Sequence, residues 1–387
     1  MTSFFDLFRR RNTMVTRRSF IPSLKRAKDV NSHYEFIDSC ARVGDLDTLR
    51  HLFARILEEC PFGPTHWAPR AVTERIIEAV ALNDGYDNAI ATVELAKLAN
   101  QRVESRHIRP AAVISKIVAA QSGAVIDKLL STVSDLEAKA ILLHEAVMRK
   151  KVLTNSEAAT RSAALLASHR HPLAFLPLTL FDFEDELSLP SYQLGSAGWG
   201  MPFGPHGSEQ TREVASAEAE FAFTEKTTTE RATRIASAIK NWAEESNGKF
   251  EARTFHVDAP ESLILEPAIR NLGLECVGPS DALAFPEKQS LKEVFAVLFA
   301  AASTGGAYNS GEFAGYGRLS AWRSLGGLVG CGETAAINDV ARVAGDCEWL
   351  LFSTSNDWYY QVAWDIGIAC WNPSLRDLTI LAATDTD

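Results

Sequence analysis

The chain has 387 residues, 46% hydrophobic and 23% charged, with a formal net charge of −10. That length supports two or three domains, and no run approaches the roughly 20 apolar residues of a membrane span. The acidic balance speaks against general nucleic-acid binding by the body of the chain, because phosphate contacts need a basic face.

The charge is unevenly placed. Residues 1–28 hold Arg9, Arg10, Arg11, Arg17, Arg18, Lys25, Arg26 and Lys28 against Asp6 alone, a balance of +7 that leaves −17 for the remainder. Residues 1–30 are therefore predicted to be a basic, disordered, solvated tail. The same composition also fits an organelle-import segment or contact with an anionic surface. Cys40, Cys60, Cys276, Cys331, Cys347 and Cys370 are widely spaced and form no Cys-x-x-Cys pair. That argues against a zinc site or a disulfide framework and predicts buried thiols in a reducing, cytoplasmic setting.

From 31 to 180 the pattern is helical. Phe36, Ile37 and Cys40 precede a break at Gly44-Asp45, and Leu46, Leu49, Leu52 and Phe53 follow it; the same arrangement returns around Asp84-Gly85 and Ser122-Gly123. Gly44, Gly85 and Gly123 lie 41 and 38 residues apart. A helical hairpin recurring about every 40 residues predicts a solenoid-like stack with a concave face suited to a protein partner; a plain helical bundle is the alternative. A further helical pair is predicted over 136–148 and 156–168, ended by His169-Arg170-His171-Pro172. The two histidines are read as helix-end residues favoured by the dipole, not as metal ligands.

Residues 181–225 are rich in Gly, Pro and Ser but carry Trp199, Met201 and Phe203, and are predicted to be an ordered linker. Residues 226–387 read as an α+β domain with a mainly antiparallel sheet. It has a helix over 228–246, a strand over 250–257, an apolar helix over 291–303 and a helix over 334–344. Three antiparallel strands follow over 348–353, 358–370 and 378–383.

The best candidate site is the glycine-dense stretch 305–328. Gly305, Gly306, Gly311, Gly315 and Gly317 interleave with Tyr308, Phe313 and Tyr316, and Leu319, Trp322, Leu325 and Leu328 then fall at helical spacing. Glycines at this density need positive φ angles or something lying too close for a Cβ. The Gly306-x-x-x-x-Gly311 frame lacks the Lys and Ser or Thr of a phosphate loop, and Gly315-x-Gly317 is not preceded by a strand. What remains is a helix N-terminus that could hold an anion, with Arg318 as bidentate donor; the competing reading is a structural Arg318–Asp365 pair. Asp365, Asp385 and Asp387 could together hold a divalent ion, although solvated terminal acids are common. No nucleophile elbow or His-Glu-x-x-His is present, and nothing calls for a cofactor.

Gly-Gly-Ala-Tyr at 305, Gly-Tyr-Gly-Arg-Leu-Ser-Ala-Trp-Arg-Ser-Leu at 315, Gln-Val-Ala-Trp-Asp-Ile-Gly at 361 and Leu-Ala-Ala-Thr-Asp-Thr-Asp at 381 carry a likeness that also touches His171-Pro172-Leu173 and Leu189-Pro190. Over roughly its second half the chain resembles a family of mostly actinobacterial proteins defined by a domain of unknown function. The resemblance implies one coherent C-terminal module and no particular activity. Two functions are thus expected. The first is an intracellular binding or interaction protein, regulatory or immunity-like, with another protein as partner. The alternative is an enzyme or sensor for a small phosphate- or carboxylate-bearing ligand bound through Gly305, Gly306, Tyr308, Gly315, Gly317, Arg318, Trp322 and Asp365.

Overall fold

The computed structural model describes residues 15–386 apart from 64, 104, 153–155, 201–221, 259–262, 280, 282 and 284–287. The fold is α+β and divides into two compact units. One comprises the chain up to Leu165 together with Ser191–Gly198; the other comprises Leu166–Pro190 and Trp199 onward.

The first unit is built from α1 (Phe20–Leu24), α2 (Asn31–Arg42), α3 (Leu46–Glu59), α4 (Trp67–Ala81), α5 (Tyr86–Ala99), α6 (Pro110–Ala120), α7 (Gly123–Thr132), α8 (Leu136–Met148) and most of α9 (Glu157–Ser168). Local chemistry sets the helix starts: Asp45, Ser122 and Asp135 accept the N–H groups of Thr48, Val125 and Ala138, and Pro110 opens α6. Gly44 at φ 73° and Gly85 at φ 115° turn the chain between helices. Gly123, by contrast, is simply the first residue of α7.

The hairpins stack in series. α2 packs on α4, α4 on α6 and α6 on α8, while α3 packs on α5 and α5 on α7. Buried polar groups tie the turns together. The Gln121 side chain accepts from the Gly85 N–H at 2.8 Å and donates to the Asn83 carbonyl at 2.8 Å, and Lys151 donates to the Ala119 and Gln121 carbonyls. Each turn thereby satisfies backbone groups of its predecessor that stacking removes from water. Within the stretch 1–30 predicted as a disordered tail, α1 is a helix. Phe20, Ile21 and Leu24 form one apolar stripe, fully buried, and α1 packs on α3. Residues 1–14 lie outside the described residues. The first unit is completed by a hairpin, β1 (Ser191–Gln193) and β2 (Ser196–Gly198).

The second unit contains β3 (Ala222–Glu225), α10 (Thr229–Ile235), α11 (Lys240–Glu245), β4 (Lys249–Asp258), α12 (Leu265–Arg270), β5 (Lys288–Gln289), α13 (Leu291–Thr304), α14 (Phe313–Leu328), α15 (Ile337–Gly345), β6 (Glu348–Leu351), β7 (Ile366–Asn372) and β8 (Asp377–Thr384). Six strands form one sheet in the order β3-β4-β8-β7-β6-β5, with every pair antiparallel. All residues of β7 and β8 are buried, so the sheet centre is covered on both faces. Leu378, Ile380 and Ala382 join Ile269 and Leu272 in the core on one face. On the other, α14 packs on β8, and Arg231 of α10 donates to Asp377 at 2.9 Å and to Thr379 at 3.0 Å.

Three predicted elements change. The helix over 228–246 breaks into α10, a 3₁₀ turn at Ala236–Ile239 and α11. Ser324 causes the break: its hydroxyl accepts the Ala238 N–H at 2.8 Å and donates to the Ile235 carbonyl at 2.7 Å, interrupting the helical ladder. The strand over 358–370 begins only at Ile366, because Gln361 takes φ 59° and the preceding residues close turns. The 181–225 linker is not one element. Asp182–Glu184 belongs to the second unit, the hairpin at 191–198 to the first, and Ala222–Glu225 is an edge strand of the six-stranded sheet.

Candidate functional site

Four helices of the first unit present one continuous ionic face. Arg75 on α4 makes a bidentate pair with Asp38 on α2, at 2.9 and 2.6 Å, and also reaches Glu78 one turn on at 3.3 Å. Glu78 in turn lies 3.5 Å from Lys116 on α6. Burial pulls the Arg75 pKa down, but the Asp38 hydrogen bond and the Asp38 and Glu78 charges outweigh it and hold the guanidinium above its ordinary value. Beside this row, Ser115 of α6 accepts from Arg149 at 3.4 Å, and Arg149 lies 3.8 Å from the fully buried Glu145 of α8. Pairs that are one-tenth to one-quarter exposed are screened less than surface pairs, so the row is fixed in place.

An extended segment of the chain lies on this face. The two strands of the 191–198 hairpin are joined by the two-residue turn Leu194-Gly195, with Gly195 at φ 85°. The Gly195 N–H donates to Glu78 Oε2 at 2.9 Å. A Cβ at Gly195 would stand 2.1 Å from Arg75 Nη1 and would displace the guanidinium, and the positive φ of the turn favours glycine there. Two residues before the turn, the Tyr192 hydroxyl is 2.9 Å from Ser115 Oγ, and the Arg149 guanidinium sits 5.7 Å from the Tyr192 ring centre. Burial, followed by the Glu145 charge, pushes the Tyr192 phenol well above its usual range, so the hydroxyl stays protonated and able to donate. The face therefore binds two things at once: the backbone N–H of a glycine turn and a tyrosine hydroxyl.

The glycine stretch of the second unit is ordered and already satisfied. Asn309 Oδ1 accepts from the Gly306 and Gly311 N–H groups at 3.0 and 3.1 Å, Ser246 from Tyr308 at 3.1 Å, and the Ala302 carbonyl from Glu312 at 2.9 Å. The Ala307 N–H donates to Asp385 Oδ2 at 2.7 Å, and a Cβ on Gly306 would fall 1.9 Å from that same oxygen. The carboxylate held by the loop is the chain's own. Gly305 and Gly311 take positive φ, whereas Gly317 and Gly327 lie within α14, where a Cβ would come within 2.8 Å of Ser303 and 2.7 Å of Ile235. Gly315 is likewise inside α14, which begins at Phe313.

Arg318 is fully buried and pairs with Glu184, not with Asp365. Its Nε and Nη2 donate to the two Glu184 oxygens at 2.7 and 2.8 Å, and its Nη1 and Nη2 to the Pro177 and Thr179 carbonyls at 2.8 and 2.9 Å. Four of its five N–H groups are thus occupied inside the protein, which makes the arginine an anchor for 177–184 and leaves little with which to bind a ligand. Trp322 Nε1 donates to the same Glu184, and its ring packs among Phe181, Phe183 and Phe295. Tyr308 is half exposed at the loop tip.

Asp365 accepts from Thr384 Oγ1 and from the Val362 N–H, with its pKa raised by burial against those bonds. Asp385 is fully buried and Asp387 lies outside the described residues. Among the described residues no group of three His, Cys, Asp or Glu side chains is placed to hold a metal ion.

Asp38, Arg75, Glu78, Ser115, Lys116 and Arg149 were absent from the sequence-level candidates, since charges on an amphipathic helix read as a solvated face. A signal existed: Asp38, Arg75, Lys116 and Arg149 follow one another at 37, 41 and 33 residues, close to the hairpin period. A family model described as "Family of unknown function (DUF6183)" matches residues 31–387, so the likeness reaches through the helical unit as well as the second half. No curated protein and no solved structure matches the chain.

Proposed function

The chain belongs to DUF6183, a family of unknown function, and on that premise we propose that it is a cytoplasmic interaction protein. Its stacked hairpins act as an α-solenoid that holds an extended segment of a partner protein on the ionic face of α2, α4, α6 and α8. The observation that carries this reading is the seating of the 191–198 hairpin, whose Gly195 N–H is bound by Glu78 and whose Tyr192 is bound by Ser115. A face that binds the backbone N–H of a hairpin turn through a fixed carboxylate, with a bound aromatic side chain beside it, has the two components of peptide recognition: a main-chain hydrogen bond for affinity and a side-chain contact for specificity. The hairpin then occupies the face until a partner segment of similar form replaces it, a cis–trans competition in which the tethered segment has the advantage of effective concentration. Six free thiols accord with a reducing compartment, and among the described residues no helix is long and apolar enough to cross a membrane.

The test is complementation in trans. A variant in which residues 191–198 are replaced by a Gly/Ser stretch of equal length is titrated against a labelled synthetic peptide spanning 188–200, and binding is followed by fluorescence anisotropy. Saturable binding that is lost on Glu78→Gln and weakened by Tyr192→Phe in the peptide supports the proposal. Absence of binding at millimolar protein, or binding indifferent to Glu78→Gln, removes it.

A further inference from the structure

The second unit contains a cleft of about 260 Å³ on the side of α14 that carries Trp322, Arg323 and Gly326. Its apolar side is formed by Pro172 and Phe175, with the buried Trp322 beneath, and His171 also lines the cleft. Two guanidinium groups line it, those of Arg234 and Arg323. Arg234 of α10 is immobilised, with Nη1 donating to the Cys331 carbonyl at 2.6 Å and Nη2 to the Gly332 carbonyl at 3.3 Å. Both partners are neutral carbonyls, so its positive charge has no carboxylate within ion-pair distance among the described residues. Arg323 is exposed and makes no hydrogen bond or ion pair among them. Gly326 makes room for this arrangement, because a Cβ there would stand 3.1 Å from Arg234 Nη2. A glycine inside a helix costs about 1 kcal/mol relative to alanine, and close approach of a neighbouring group is the usual reason to find one.

We propose that this cleft binds a small monocarboxylate with an aromatic or branched apolar body. Arg323 supplies the free planar fork that matches a carboxylate, Arg234 adds a second, fixed positive charge to the lining, and the exposed Pro172 and Phe175 receive the apolar body. Glu333 also lines the cleft. Its negative charge, with that of Glu312, which the Arg323 charge also reaches, offsets much of the guanidinium charge, which suits a monoanion and disfavours a phosphate dianion. The volume is that of a ligand of about amino-acid size. The site is separate from the ionic face of the helical unit and stands whether or not that face binds a peptide.

The experiment is isothermal titration of the full chain with benzoate, 3-phenylpropionate, benzamide and inorganic phosphate, repeated with Arg323→Ala and Arg323→Glu. Arg323 is on the surface, so both variants are expected to fold, and their far-UV circular dichroism and Tm provide the check. The expected result is binding of at least one aromatic carboxylate, weakened about tenfold or more in Arg323→Ala and abolished in Arg323→Glu, with benzamide and phosphate binding at least about tenfold more weakly than that carboxylate in the wild type. Equal affinity in wild type and Arg323→Ala overturns the proposal. So does phosphate binding as tight as the carboxylate, or the absence of any carboxylate binding below about 10 mM.

Discussion

The buried Arg318–Glu184 pair provides the sharpest test of what the glycine-rich helix is for. Both side chains are 0% exposed, and Arg318 makes four hydrogen bonds, two to Glu184 and two to the Pro177 and Thr179 carbonyls. Arg318→Met removes all four and leaves a buried carboxylate held only by Trp322 Nε1 and the Phe181 N–H. Breaking one side of a buried pair costs about 3–5 kcal/mol, because the surviving charge has no compensation. Against a typical unfolding free energy of about 5–15 kcal/mol this is a large fraction. In a unit of this size it should lower Tm by roughly 6–20 °C. Urea unfolding of wild type, Arg318→Met, Glu184→Gln and the double variant, followed by tryptophan fluorescence, completes a double-mutant cycle. The double variant should be less destabilised than the sum of the singles, since it leaves no lone charge. A single-variant loss below about 1 kcal/mol would refute the reasoning and return Arg318 to the role of a ligand-binding group.

Two further outcomes follow from the geometry. Gln121→Leu should cost about 2–4 kcal/mol in urea unfolding, because it leaves the Gly85 N–H and the Asn83 carbonyl unsatisfied between two stacked turns; an exposed Gln121 would instead show a loss within about 0.5 kcal/mol. Asp365 has a folded-state pKa raised above its ordinary 3.8, first by burial, so the folded chain binds this proton more tightly than the unfolded one. Stability from this group is present below the ordinary pKa and falls as pH rises through and above it. The stability of Asp365→Asn relative to wild type should therefore improve as pH is raised from about 3.5 towards neutrality, measured as Tm across that range; a relative stability that worsens with rising pH contradicts the assigned shift.

The helical hairpins were legible in the sequence because each rests on local chemistry. Apolar residues at helical spacing, caps such as Asp45 and Ser122, and turns at Gly44 and Gly85 act within a few residues of one another. The antiparallel strands over 366–384 were legible for the same reason: two apolar runs face each other across the turn that follows Asn372. Trp358–Asp365 misled because aromatic content suggests a strand, while the backbone there answers to Asn356, Thr384 and Asp365, which bind the Trp358, Tyr360 and Val362 N–H groups. The glycine stretch was found as an unusual segment, but its meaning was not, since the groups that fill it come from afar. Asp385 is 78 residues from Ala307, and Glu184 is 134 residues from Arg318.

By itself, then, the sequence determined the helical repeat, the antiparallel sheet and the positions where backbone must pass close to something else. Only the tertiary structure decided what that something is. A charge acquires a partner through contacts whose sequence separation is arbitrary, and no local propensity distinguishes an arginine that anchors a buried segment, such as Arg318, from one left open in a cleft five residues later, such as Arg323.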